Sequence, residues 1–243
     1  MKNWYKSWFQ SPYYHLLYKN RNDLEANFFL NNLIDFLNPE TNNQFLDIAC
    51  GKGRHAIAVH KKGYIVEGID LSEESIKVAK DHSNSRLHFQ VHDMRKVYKK
   101  NHFDYVFNLF TSFGYFESQQ ENEEALSAMI GNLKQGGKIV IDFMNSKKVS
   151  YELIKEEIKQ VEHIKFHIRR KAEGKQIIKD ITFEDGKQFF HFTEKVFGFD
   201  LHDFNTFLSA NGMKVLNLWG DYSLTDFDVT QSPRLIILAQ KWS

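Results

Sequence analysis

The stretch Phe45-Leu-Asp-Ile-Ala-Cys-Gly-Lys-Gly-Arg-His55 decides the fold. An apolar run carrying Asp47 leads into two glycines, Gly51 and Gly53, and a helix-like pattern starts at once. The order reads as strand, tight glycine turn and helix start. Such a turn exposes bare backbone to a ligand, and the helix N-terminus offers unpaired N–H donors. The next apolar run, Tyr64-Ile-Val-Glu-Gly-Ile-Asp70, ends in a second acid. Two such runs predict a nucleoside-containing ligand held at the tips of parallel strands.

Two cofactor classes fit that geometry. Gly51-x-Gly53-x-x-Ala56 matches the G-x-G-x-x-G/A dinucleotide fingerprint, with Asp70 about 20 residues on, which points to NAD. Asp47 shifts the balance. It stands four residues before Gly51, where a carboxylate would repel a pyrophosphate and tolerate a cationic ligand. A strand–turn–helix with no ligand is the third alternative.

Alternating elements continue outward from this turn. Strands are expected at 44–49, 64–69, 87–91, 103–109 and 138–143, with helices at 54–62, 73–82 and 118–134. Gly63 and Gly136-Gly137 fall at helix exits, where left-handed caps are common. Runs such as Ile139-Val-Ile and Tyr105-Val-Phe are apolar on both faces, as buried parallel strands are. Repeated βα units predict a doubly wound, Rossmann-like α/β sheet, mostly parallel. Residues 1–38 read as an aromatic-rich helical segment. After Asn145 a short helix at about 149–157 is expected. Three antiparallel strands follow at 160–171, 176–184 and 188–197, turning at Glu173-Gly174 and Asp185-Gly186. A helix at 200–210 and strands at 213–218 and 234–240 complete the reading. It is a single domain over 1–243, with an N-terminal lid at 1–38 and an insert at 150–198.

Composition excludes several function classes. The chain has 243 residues, 42% hydrophobic and 15% aromatic, which suits a sizeable core. Its 32 Lys+Arg nearly cancel 31 Asp+Glu, so a strongly electrostatic nucleic-acid binder is not expected. Cys50 is the only cysteine, so no intrachain disulfide forms. The start lacks the apolar core of a signal peptide, and no run reaches the ~18 apolar residues of a membrane span. A cytoplasmic protein without membrane partners, a monomer or homodimer, is expected.

The motifs beyond the glycine turn resemble a known family. Gln90-Val-His-Asp-Met-Arg95 follows the third strand and Asn108-Leu-Phe-Thr-Ser-Phe-Gly-Tyr-Phe116 the fourth. With Leu46-Asp-Ile-Ala-Cys-Gly-Lys-Gly53 they resemble class I S-adenosylmethionine (SAM)-dependent methyltransferases. The resemblance is to a small-molecule branch that includes sugar-nucleotide N,N-dimethyltransferases. Those enzymes carry an antiparallel insert after the fifth strand, and Val196–Val215 is similar to their last helix and sixth strand. The resemblance covers about residues 40–240 and implies a seven-stranded sheet. It implies SAM as cofactor, S-adenosylhomocysteine as product and a small-molecule acceptor.

The same resemblance implies roles for individual residues. Asp70 would accept bonds from both ribose hydroxyls, with Leu71 beside it. Asp93 would take the adenine amino group and Met94 would face the ring. Ala49, Gly51 and Gly53 would line the methionine end, and Asp47 would orient the loop or the cofactor amine. Asn108 would stand beside the sulfonium. Tyr14 and Arg21, in the lid, would cover the cation and meet the cofactor carboxylate. Tyr115 is the leading catalytic candidate, as a residue that orients an amine. A phenol with a pKa near 10 is a poor base at neutral pH. His191 and His15 are weaker candidates. The pairs His163/His167 and His88/His92 are too far apart on strands for a compact metal site, and no metal is expected. Ile168-Arg-Arg-Lys171 reads as a solvated edge. RNA or protein methylation, or a catalytically silent SAM-binding module, are the competing functions.

Overall fold

The computed structural model describes residues 4–19 and 23–242. Among them, the helices α1 (Trp4–Phe9), α2 (Pro12–Leu17) and α3 (Asp23–Leu37) precede the first strand. The alternating region runs β1 (Gln44–Ile48), α4 (Arg54–Lys61), β2 (Ile65–Asp70), α5 (Glu73–Lys80), β3 (Leu87–Val91), β4 (Phe103–Asn108), α6 (Gln119–Gly131) and β5 (Leu133–Met144). Then come α7 (Ser146–Tyr151), β6 (Glu156–Val161), β7 (Ile164–Glu173), β8 (Gln176–Asp185) and β9 (Gln188–Phe197). The chain closes with α8 (Leu201–Ala210), β10 (Met213–Trp219) and β11 (Arg234–Lys241).

Seven strands form one sheet in the order β10-β11-β5-β4-β1-β2-β3. β1 pairs in parallel with both β2 and β4, while β11 runs antiparallel to β5 and β10. The winding reverses between β1 and β4. In such sheets ligands bind at the carboxyl ends of the strands beside that reversal. The central strands are buried on both faces, through Phe45, Leu46 and Ile48 of β1 and Val106 and Phe107 of β4.

The antiparallel insert has four strands, β6-β7-β8-β9, not the expected three. The short helix ends at Tyr151 rather than near 157, and the extra strand β6 follows. A two-residue turn at Glu162-His163 makes the first hairpin, with Glu162 left-handed (φ 52°). Such turns normally announce themselves with Gly or Asn, and neither stands here. Gly136-Gly137 does not close a helix either. α6 stops at Gly131, and the glycines lie within β5, where the β4–β5 register shifts. Gly136 is left-handed (φ 76°), and a Cβ on Gly137 would meet the Lys134 and Phe103 carbonyls at 2.9 and 3.1 Å. This is the close-backbone role of glycine in a bulge.

One face of the insert packs on the N-terminal helices. Trp8 and Leu17 share a core with Phe166, Ile168, Ile181 and Phe183. That arrangement carries the N-terminal segment over the strand tips. No helix among the described residues is long and apolar enough to cross a membrane.

Candidate active site

A cavity of about 1000 Å³ opens above the tips of β1, β2 and β4. Its floor is the glycine turn. Ala49, Gly51 and Gly53 are all left-handed (φ 60°, 55° and 83°). A non-glycine residue held there costs of order 1–3 kcal/mol and persists only where its surroundings force it. The backbone is held from β2: Gly51 N–H donates to Asp70 Oδ2 at 2.8 Å, and Cys50 N–H to the Ile69 carbonyl at 3.0 Å. A Cβ on Gly51 would meet nothing within 4 Å, whereas one on Gly53 would strike the Phe89 ring at 2.6 Å. Gly51 therefore faces open space, and Gly53 lets the turn pack on β3.

Asp70 accepts the Ser72 N–H on its other oxygen at 2.8 Å and lines the cavity. Burial pushes its pKa up against those N–H bonds. Asp47 is buried beneath the turn and accepts the Ala56 N–H at 3.2 Å, so it fastens the first turn of α4. Burial, reinforced by Asp70, pushes its pKa up to about 7. Asn108, fully buried, donates from Nδ2 to the Ile48 carbonyl at 3.1 Å and ties β4 to β1. Its Oδ1 is buried with no protein partner.

Asp93 and Met94 line the far end. Arg95 grips the Asp93 carboxylate (Nη2–Oδ2 2.7 Å), and Glu121 takes the other arm of the guanidinium at 3.1 Å. Burial opposes ionisation of Asp93, but the Arg95 hydrogen bonds outweigh it and lower the pKa. Arg95 engages both carboxylate oxygens, its backbone N–H and Nε reaching Oδ1 at 3.0 and 3.1 Å.

The loop after β4 forms the opposite wall through Leu109, Phe110, Thr111, Ser112 and Tyr115. Phe110 is stacked between His55 (4.9 Å, 27°) and Tyr222 (5.1 Å, 27°), with the Arg54 guanidinium 4.9 Å from its ring. Burial and the adjacent Arg54 push the His55 pKa down to about 3, so this imidazole stays neutral and is a poor proton acceptor. The roof comes from the N-terminal helices. Phe9, Tyr14, His15 and Tyr18 line the cavity, and Tyr115 meets Trp4 and Phe9 edge-on at 6.0 and 5.2 Å.

Of the residues expected from sequence, Ala49, Gly51, Asp70, Leu71, Asp93, Met94, Tyr14 and Tyr115 line this cavity. Asp47, Gly53 and Asn108 lie outside its lining and support the wall from beneath. Arg21 lies outside the described residues. His191 is away from the cavity and pairs with Asp180 at 3.2 Å; His163 pairs with Asp185 at the same distance. No group of metal-ligating side chains occurs among the described residues. The basic run on β7 is matched by acids, Arg169 with Glu156 and Arg170 with Glu157. His55 is among the cavity residues that sequence reasoning passed over, although it lies on the first turn of α4, directly after the glycine turn.

The donors and acceptors fit an adenosyl amino acid better than a dinucleotide. Two carboxylates face the cavity at the tips of β2 and β3, and an orphaned amide oxygen lies at the tip of β4.

Comparison with known proteins agrees. Residues 45–137 match a methyltransferase domain family. The Bacillus subtilis protein YqeM, a methyltransferase by name, is 27% identical over 208 residues, covering 82% of this chain and 84% of its own. A Streptomyces venezuelae dTDP-3-amino-3,4,6-trideoxy-alpha-D-glucopyranose N,N-dimethyltransferase is 24% identical over 192 residues, 75% and 79% of the two chains. The fold matches a SAM-dependent methyltransferase from Clostridium acetobutylicum with TM-score 0.79 at 18% identity, over 95% of this chain and 96% of that one. Residues 45–137 thus match a methyltransferase domain, and over most of its length the chain is similar to methyltransferases, a sugar N,N-dimethyltransferase among them, on the fold of a SAM-dependent methyltransferase.

Proposed function

We propose that the protein transfers a methyl group from SAM to a nitrogen or oxygen of a small molecule. The observation that carries this reading is the continuity of the cavity. One roofed space runs from Asp70 and Asp93 past the glycine turn to Tyr115. Its volume of about 1000 Å³ is at the upper end for small-molecule sites, which suits a cofactor and a small acceptor together. When bound, the cofactor supplies a methyl group activated by a sulfonium.

The chain's residues divide the work as follows. Asp70 takes the ribose diol, and Asp93 with Met94 takes the adenine. The Gly51 turn cradles the methionine end, held up by Asp47 and Gly53. Asn108, buried behind the cavity wall, ties the β4 tip to β1. The acceptor sits between that tip and the roof, beside Tyr115. With the cofactor bound, the acceptor's lone pair would take the methyl in line with the S–CH₃ bond, sulfur would keep the bonding pair and the acceptor's proton would pass to solvent. Alignment of this kind contributes roughly 7–11 kcal/mol. A general base would add only about 10²–10⁴-fold. The neutral, buried His55 is unsuited to that role, so Tyr115 orients the acceptor rather than deprotonating it. The Streptomyces relative's name favours an amine on a nucleotide-linked sugar as a first acceptor to try.

The test is S-adenosylhomocysteine release with a panel of aminosugars, amines and hydroxylated small molecules, beside RNA and protein. Turnover with a small molecule supports the reading. Turnover with RNA or protein alone contradicts it.

A further inference from the structure

Two consecutive residues of the β4 loop, Phe110 and Thr111, are both left-handed, with φ of 58° and 57°. Neither is glycine, asparagine or aspartate, the residues that usually tolerate this conformation. Something must hold them, and the structure supplies it from residues far along the chain. Asp142, on β5 and fully buried, accepts the Phe110 N–H on Oδ2 at 2.8 Å, and its carbonyl accepts the Thr111 N–H at 2.9 Å. Arg234, the first residue of β11, donates from Nε to Asp142 Oδ1 at 2.8 Å and from Nη2 to Thr111 Oγ1 at 2.9 Å. The Tyr222 hydroxyl closes the set on Asp142 Oδ2 at 3.2 Å while its ring stacks on Phe110. Both peptide N–H groups of the strained pair, one side-chain hydroxyl and one ring are thereby fixed. Backbone strain of this kind clusters where a site must be preorganised.

We infer that Arg234 is a positioning residue for methyl transfer: with Asp142 it locks the left-handed Phe110-Thr111 pair and so sets the wall on which the acceptor lies. Arg234 touches neither cofactor cradle carboxylate, and it does not line the cavity. It acts through Thr111, Phe110 and the loop leading to Tyr115. Arginine suits this place because its planar fork reaches a carboxylate and a hydroxyl at once. A lysine would keep the charge and lose that span. The inference rests on the reading that the acceptor lies against residues 109–115, but its test requires no acceptor.

The experiment labels the protein with 3-fluorotyrosine and saturates it with S-adenosylhomocysteine. The Tyr115 resonance is assigned by Tyr115→Phe, and buried Tyr105 serves as internal control. Arg234→Met, Arg234→Lys and Thr111→Val are compared by ¹⁹F NMR, by amide exchange across 109–116 and by cofactor calorimetry. Thr111→Val leaves the Asp142–Arg234 pair intact, so it tests the loop even if Arg234→Met unfolds the chain. The expected result is a shifted or split Tyr115 line and at least tenfold faster loop exchange in Arg234→Met and Thr111→Val. Arg234→Lys recovers part of the protection. The Tyr105 line stays in place, and cofactor affinity changes less than threefold. On any acceptor found, kcat falls by about 10²-fold or less with KM for SAM unchanged. An unmoved Tyr115 line and unchanged loop exchange would overturn the inference and leave the pair as ordinary fold stabilisation. An acceptor screen that fails while the ¹⁹F result holds would count against the proposed function and not against this lock.

Discussion

Trp8, in the first helix, donates its indole N–H to Glu194 on the last strand of the insert at 2.6 Å, across 186 residues of sequence. Tyr18 donates to the same carboxylate at 2.7 Å, and Lys179 pairs with it at 3.5 Å. The N-terminal helices and the insert are therefore joined by a part-buried polar knot as well as by the shared core of Trp8, Leu17 and Phe183. These contacts join the roof of the cavity to the insert.

Glu194→Gln keeps the shape and removes the charge that three donors share. A charge-assisted hydrogen bond is worth about 1.5–3 kcal/mol. Limited proteolysis should cut the first 19 residues faster in this variant, and S-adenosylhomocysteine should dissociate faster. Unchanged cleavage and dissociation would mean that the apolar contacts alone hold the roof.

Asp70 is expected to dominate cofactor affinity. Asp70→Asn preserves an acceptor for one backbone N–H and removes the charge offered to the ribose diol. Loss of about 1.5–3 kcal/mol corresponds to a roughly 10–100-fold weaker cofactor complex. Calorimetry checks this, with circular dichroism confirming the fold.

Asp47 should make stability depend on pH. Its folded pKa of about 7 stands above the ordinary 3.8. Below the lower value the group is protonated in both states. Between the two, the folded protein keeps a proton that the unfolded chain has lost, so the stability from this group falls as pH rises. Above about 7 the penalty is constant. Asp47→Asn, which still accepts the Ala56 N–H, should melt at the same temperature as wild type near pH 4 and several degrees higher at pH 8. Parallel melting curves across that range would contradict the assignment.

Tyr115→Phe removes only a hydroxyl, since the ring contacts with Trp4 and Phe9 remain. If that hydroxyl orients the acceptor, kcat falls about tenfold, the worth of one hydrogen bond, with KM for SAM unchanged. An unaffected kcat would assign Tyr115 to packing.

The glycine turn and the strand tips beside it were readable because they are local. Asp47, Gly51, Gly53 and Asp70 lie within 24 residues, and each glycine answers to a backbone demand that no other residue meets cheaply. The parallel strands were readable from two-sided apolar runs. The conformation of the loop after β4 was not. Phe110 and Thr111 carry no sign of a left-handed backbone, because the lock is supplied by Asp142, Tyr222 and Arg234, up to 123 residues away. Glu162 likewise turns a hairpin without a turn residue's chemistry, so β6 was missed between the end of an expected helix and the start of an expected strand. His191 is set outside the cavity by the register of β8 with β9, which places it against Thr182 and Asp180. Strand register of that kind is fixed by pairing and is not written in one segment.

The most direct measurement is a calorimetric titration with S-adenosylhomocysteine, with NADH as control and Asp70→Asn alongside. The account predicts micromolar binding of S-adenosylhomocysteine alone, weakened at least tenfold by Asp70→Asn. Binding of NADH, or S-adenosylhomocysteine binding indifferent to the substitution, would contradict it.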